Sequence, residues 1–143
     1  MKLCLVLLLA MIPALINAQV TGNDLEVDKV GNYYYEKFVE VPKKDRSIRV
    51  QAAKDFLNQY TTEKAGAGPR HEAGTGKITA IISRRKLPNL GGARIELSIE
   101  EYKYSYKILI DKYTGPSSTS AGRTKKILKD LTRLSSGLEK ALH

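Results

Sequence analysis

The chain of 143 residues contains one cysteine, no tryptophan and two histidines. A single thiol excludes a disulfide-stapled miniprotein and any multi-cysteine zinc site. Two histidines leave little from which to build a histidine metal centre. Outside the first few residues no apolar run is long enough to cross a bilayer, which takes about 20 residues. Lys and Arg outnumber Asp and Glu by 24 to 15, giving a net charge of +9 and a pI near 9.6. With 42% hydrophobic and 27% charged residues, the composition is that of a folded domain rather than a disordered or collagen-like chain.

The opening segment, Met1–Ala18, reads MKLCLVLLLAMIPALINA. Lys2 supplies a short positive region, Leu3 to Ile12 an unbroken apolar stretch, and Pro13 its end. A small residue, Ala18, precedes the expected cut, so residues 1–18 read as a secretory signal peptide and Gln19 as the mature start. The apolar stretch is too short to span hydrocarbon. Cys4 lies inside it and leaves with it, so no lipid anchor is expected at the cut. Losing Lys2 takes the charge from +9 to +8. The expected product is a soluble, cysteine-free protein in the periplasm or outside the cell, an oxidising setting that suits the absence of thiols.

Residues 19–32 are polar and weakly patterned, a lead-in to one domain over residues 33–143. Tyr33 to Val41 (YYYEKFVEV) has strand composition and stops at Pro42. Asp45 or Ser47 can cap a helix running to about Tyr60. Its expected apolar face is Ile48, Ala52, Ala53, Phe56, Leu57 and Tyr60 at 100° per residue. Lys64 to Gly76 is glycine-rich and reads as a flexible connection. Lys77–Ser83, Arg94–Ile99 and Tyr102–Ile110 alternate, the last two forming a hairpin across Glu100-Glu101. Tyr102, Tyr104, Tyr106, Ile108 and Ile110 share one face of their strand. After a small-residue loop at Gly115–Gly122, Arg123 to Leu142 is a second helix, with Ile127, Leu131, Leu134, Leu138 and Leu142 on one side. The order β-α-β-β-β-α predicts an α+β two-layer sandwich: an antiparallel sheet of about four strands with two helices on one face.

Several short stretches resemble an uncharacterised bacterial exported domain family with a TATA-binding-protein-like fold. They are Val39-Glu40-Val41-Pro42 with the helix after it, Thr75-Gly76-Lys77-Ile78, and Tyr102-Lys103-Tyr104-Ser105-Tyr106 before a loop and a C-terminal helix. The similarity covers Tyr35 to Leu142 and departs from the pattern at Glu100-Glu101, where such hairpins often turn on Asp-Gly. It implies a fold and an envelope setting; it carries no activity and no catalytic residues.

Motifs of catalysis are weak. Gly74-Thr75-Gly76-Lys77-Ile78 lacks the spacing and the Ser or Thr of a phosphate loop and leads into a strand. Ser117 to Thr124 fails the same pattern, with Ser117 for the first Gly and Arg123 for Lys. His71-Glu72 are adjacent on a glycine-flanked loop and do not converge. Ser117, Ser118 and Ser120 have no local base. Glu100-Glu101 reads as a charged edge that discourages aggregation. Tyr102, Tyr104 and Tyr106 alternate with Lys103, Ser105 and Lys107 like a stacking ribbon, but continue into Ile108 and Ile110, so core packing is the simpler account. The wet face then carries Lys77, Thr79, Arg94, Glu96, Ser98, Lys103, Ser105 and Lys107. It is basic and lacks the apolar wedges of a minor-groove binder.

The remaining surface signal is a basic stripe. Lys125, Lys126, Lys129, Arg133 and Lys140 fall within about 100° of arc opposite the leucines of the C-terminal helix. Asp130 and Glu139 sit at its flanks. Two functions follow. The first is an exported, non-catalytic domain that acts by contact with a protein or envelope component, with no cofactor and no metal. The alternative is a binder of anionic ligands (glycolipid, acidic polysaccharide or nucleic acid) through that stripe. Export argues against genomic DNA as the target.

Overall fold

The computed structural model describes residues 19–61, 68–111 and 121–143. The expected signal segment 1–18, the first residues of the glycine-rich connection (64–67) and most of the small-residue loop lie outside the described residues.

Among the described residues there are six strands and two α-helices: β1 (Glu26–Val27), β2 (Tyr33–Glu40), α1 (Arg46–Asn58), β3 (Arg70–His71), β4 (Lys77–Ile81), β5 (Arg94–Ile99), β6 (Lys103–Ile110) and α2 (Ala121–Leu142). The sheet is antiparallel throughout, in the order β1-β2-β6-β5-β4-β3. Its four long strands are those expected. The count of four is corrected to six by two-residue strands at each edge, short because turns hold them in place. Asp28 accepts the N–H groups of Val30 and Asn32 and folds β1 back on β2. The Glu72 N–H donates to Lys77 O at 3.0 Å and pairs Arg70-His71, expected in a flexible connection, with β4. The lead-in 19–32 is also tied down, for Val20 is buried and its N–H donates to Thr132 Oγ1 on α2.

Both helices cover one face. Ile78, Ala80, Ile95, Leu97, Ile99, Tyr104, Tyr106, Ile108 and Ile110 point into a single core with Ile127, Leu131, Leu134, Leu138 and Leu142 of α2. Each fully buried Leu or Ile contributes about 2 kcal/mol, so the period-2 and helical patterns together account for the layering. α2 begins at Ala121, two residues before the expected start.

Of the two expected caps Asp45 is the one used, and two local expectations change. α1 is capped by Asp45, whose carboxylate accepts the Ser47 N–H at 2.8 Å. Its buried face is Arg49, Val50, Ala53 and Leu57, and Ile48 is 55% exposed. The phase is turned because Arg49, 1% exposed, finds backbone acceptors inside. Its Nε donates to Leu142 O at 3.0 Å, Nη1 to Glu101 O at 2.7 Å and Nη2 to Pro42 O at 2.7 Å. Tyr102, expected on the buried face of β6, is exposed in the hairpin turn. The Glu100 N–H donates to Lys103 O, so Glu101 and Tyr102 are the central turn residues. No described non-glycine residue has positive φ. The turn is instead held from outside: Val41 N–H donates to Tyr102 O and Lys44 N–H to Glu101 O, which is why Asp-Gly is not needed there.

Candidate functional site

The helices leave the other face of the sheet uncovered, and strand register sets what it displays. One cross-strand row reads Phe38, Ser105, Ser98, Lys77; the next Glu36, Lys107, Glu96, Thr79, Arg70; a third Tyr34, Leu109, Arg94, Ile81. Phe38 is 76% exposed and Ile81 50%. The two serines are too short to level the first row, and a shallow trough of about 350 Å³ lies between Phe38 and Lys77.

This face differs from the expected one in two ways. It carries apolar side chains, because β2 contributes Phe38 and β4 ends on Ile81. It is also close to balanced in charge. Glu26, Glu36, Glu40 and Glu96 stand among Arg70, Lys77, Arg94, Lys103 and Lys107. The glutamates of β2, one strand away from the lysines of β6, offset the basic character read from β4, β5 and β6 alone. Arg94 pairs with Glu96 at 3.2 Å, Lys103 with Glu100 at 3.6 Å, and Lys107 Nζ lies 4.4 Å above the Tyr34 ring. The Tyr34 hydroxyl donates to Glu26, which raises its pKa.

On α2, Lys125, Lys126, Lys129, Arg133 and Lys140 are all exposed, and none forms an ion pair within the described residues. They run along roughly 22 Å of helix at 1.5 Å per residue. The flanking acids have other work. Asp130 accepts the Asn89 N–H and Nδ2 at 3.1 and 2.9 Å, pinning the 3-10 turn Pro88–Leu90. Glu139, expected at the stripe's flank, is buried instead. It accepts the Tyr106 hydroxyl at 2.8 Å and meets Lys37 Nζ at 2.6 Å. The Tyr106 hydroxyl also shares a short hydrogen bond with Ser135 Oγ. Burial raises the pKa of Tyr106, and burial with the nearby Glu139 charge raises that of Tyr104. Among the described residues, Tyr104 Oη has no hydrogen-bond partner.

A cleft of about 770 Å³ lies at one end of the sheet between the first turns of α1, the β3–β4 turn and the β5–β6 turn. It brings His71 beside Glu100, Glu101 and Tyr102, which lie far from it in the chain. Local backbone already engages two of its polar side chains. His71 Nε2 is 2.6 Å from Thr75 O, and Arg46 donates to Gly74 O at 3.2 Å. The glycine of the near-miss phosphate loop has a packing role: a Cβ on Gly76 would lie 1.9 Å from Ile99 O, where the Ile99 N–H donates to Gly76 O. Within the described residues no three His, Asp or Glu side chains are grouped to hold a metal, and no helix is long and apolar enough to cross a membrane. Ser117, Ser118 and Ser120 lie outside the described residues.

The open face could have been found from β2 alone, whose alternation Tyr34, Glu36, Phe38, Glu40 against Tyr35, Lys37, Val39 sends a phenyl ring away from the core. No family model, curated protein or solved structure matches the chain.

Proposed function

We infer that the protein is an exported, non-catalytic domain that acts by contact with a protein or envelope component through the uncovered face of its sheet. The observation that carries this is Phe38, 76% exposed in mid-strand. One wet face is ordinary for an antiparallel sheet, and a single exposed ring is ordinary too; we read this one as part of a contact surface because it stands in mid-sheet beside a trough, on a face that also exposes Ile81. The signal-like start, the cysteine-free remainder and the resemblance of Tyr35–Leu142 to an envelope family of TATA-binding-protein-like fold support the same setting. A photo-crosslinking residue placed at Phe38, in cells expressing the full chain, should give a discrete protein adduct, while the same residue at Lys129 should not. Recovery of the chain in the cytoplasm with residues 1–18 still attached would sink the export reading.

A second reading has its own observation, the five exposed cations Lys125, Lys126, Lys129, Arg133 and Lys140 along one helix, with no ion pair among the described residues. They suit an anionic glycolipid, acidic polysaccharide or single-stranded nucleic acid. Titration with each at low and physiological salt tests it. Saturable binding to one of them that survives physiological salt supports this reading. Binding to all three that vanishes with salt marks a solvated helix face.

A further inference from the structure

Among the described residues, β2 is fully paired along one edge and mostly unpaired along the other. β6 accompanies it from Tyr33 to Glu40, whereas β1 reaches only Tyr33 and Tyr34. The chain leaves this edge because Val20 docks against Thr132 of α2. Among the described residues no strand flanks Tyr35–Glu40 on that side.

Two hydrogen bonds fix which peptide groups are left open. The Asp28 N–H donates to Asn32 O at 2.9 Å, so even-numbered residues of β2 turn their peptide groups toward β1. The Val41 N–H donates to Tyr102 O at 2.8 Å, so odd-numbered residues turn theirs toward β6. The N–H and C=O of Glu36, Phe38 and Glu40 therefore point at the vacant edge. Unpaired edge groups of this kind are a template for another strand.

The same three residues place their side chains on the open face, acid on either side of a phenyl ring. Neither glutamate has an ion pair within 4.0 Å among the described residues. Lys107 and Lys103 stand opposite them in register, but one lies over Tyr34 and the other pairs with Glu100. In a chain of charge +9, this edge is locally acidic. A second copy fits it poorly. Antiparallel self-pairing centred on Phe38 sets Glu36 against Glu40 of the copy, and centring on Lys37 sets lysine against lysine; like charges directly opposite are destabilising.

We propose that the edge Tyr35–Glu40 takes an extended segment of a partner protein as an added strand, and that this segment carries Lys or Arg two positions to either side of a small residue. β6 already presents that pattern to the other side of β2, with Lys103, Ser105 and Lys107 opposite Glu40, Phe38 and Glu36. The proposal rests on the contact reading above and names the partner's chemistry.

The probe is a blocked heptapeptide, threonine-lysine-valine-serine-valine-lysine-threonine, titrated into the isotope-labelled full chain and followed by NMR. Shifts confined to Tyr35–Glu40 and slowed exchange of the Glu36, Phe38 and Glu40 amides are expected. The peptide with glutamate in place of lysine should bind about tenfold more weakly. Phe38→Pro removes a donor from the open edge only, so it should abolish binding while the chain keeps its helical signal; Glu36→Lys with Glu40→Lys tests the charge without touching the backbone. Absence of binding at millimolar peptide, equal binding of both peptides, shifts mapped to α2, or a self-associating chain with protected β2 amides would each overturn the proposal. A protein adduct at position 38 together with a failed titration would remove the edge strand and leave the contact reading standing. Absence of the adduct would remove the contact reading itself.

Discussion

α2 and α1 lie on the same face of the sheet and pack against one another, yet they are held there by different means. α2 drives Ile127, Leu131, Leu134, Leu138 and Leu142 into the core, an apolar seam repeated turn after turn. α1 has a smaller apolar surface, Val50, Ala53 and Leu57, and completes it with the buried guanidinium of Arg49. That group draws together Pro42 just after β2, the β5–β6 turn and the Leu142 carbonyl at the C-terminus of α2, where the negative end of the helix dipole favours a cation. One helix is fixed by area removed from water, the other by directed hydrogen bonds. The two meet where Gly137 leaves room for Phe56, since a Cβ there would lie 2.7 Å from the ring.

Arg49→Ala would break the α1 side of this pair and carries the largest expected effect. It leaves three carbonyls without their donor and empties a buried volume, and should cost about 4 kcal/mol in a denaturant titration. Arg49→Lys cannot reproduce the three-way fork and should recover only part of it. On the other helix, Leu134→Ala should cost about 3 kcal/mol by loss of burial and cavity formation. A cost for Arg49→Ala below 1 kcal/mol would mean the guanidinium is a passenger.

Alkaline pH separates the same regions by another route. Tyr104 and Tyr106 have pKa values raised above the usual 10.0, first by burial. The unfolded chain ionises its tyrosines near pH 10 while these two stay protonated in the fold. Their contribution is therefore complete below about pH 10 and declines as pH rises beyond it. Phenolate absorbance should show a late fraction that appears together with loss of helix, and Tyr106→Phe should shrink that fraction. Early, non-cooperative titration of all tyrosines would contradict the buried placement.

A finer test of α1's phase compares neighbours. Val50→Ala should cost about 1.5 kcal/mol and Ile48→Ala under about 0.5; the reverse order would restore the phase read from the apolar spacing. The smallest effect belongs to the outer side of α2. Replacing Lys125, Lys129 and Arg133 together by Glu should move stability by no more than about 1 kcal/mol. The same variant should lose anionic ligands if the stripe binds them, so the thermal melt and the salt-dependent titration belong together.

Legibility followed the kind of force involved. The inward residues of β4 and β5, and those of β6 from Tyr104 onward, were plain in the sequence because alternation alone places them. α2 was plain for the same reason at a different period. Tyr102 was not, because its position depends on a turn held by Val41, Lys44 and Arg49 rather than on turn residues of its own. β3 and β1 were hidden because two-residue strands have no periodicity. Of the candidate site, the basic stripe was readable from helix phase. The mixed charge of the open sheet was missed because the glutamates opposing Lys103 and Lys107 come from β2, far away in the chain.

The sequence by itself determined the α+β layering and the side of each long strand that is dry, since those follow from apolar spacing that any compact state must bury. It also determined the basic outer side of α2. Only the tertiary structure decided that Arg49 is interior, that Glu139 closes on Lys37 and Tyr106, and that β2 ends up with Glu36, Phe38 and Glu40 along an edge that no described strand covers. Such features depend on which distant carbonyl, hydroxyl or strand arrives at a given place. Local pattern carries no record of that.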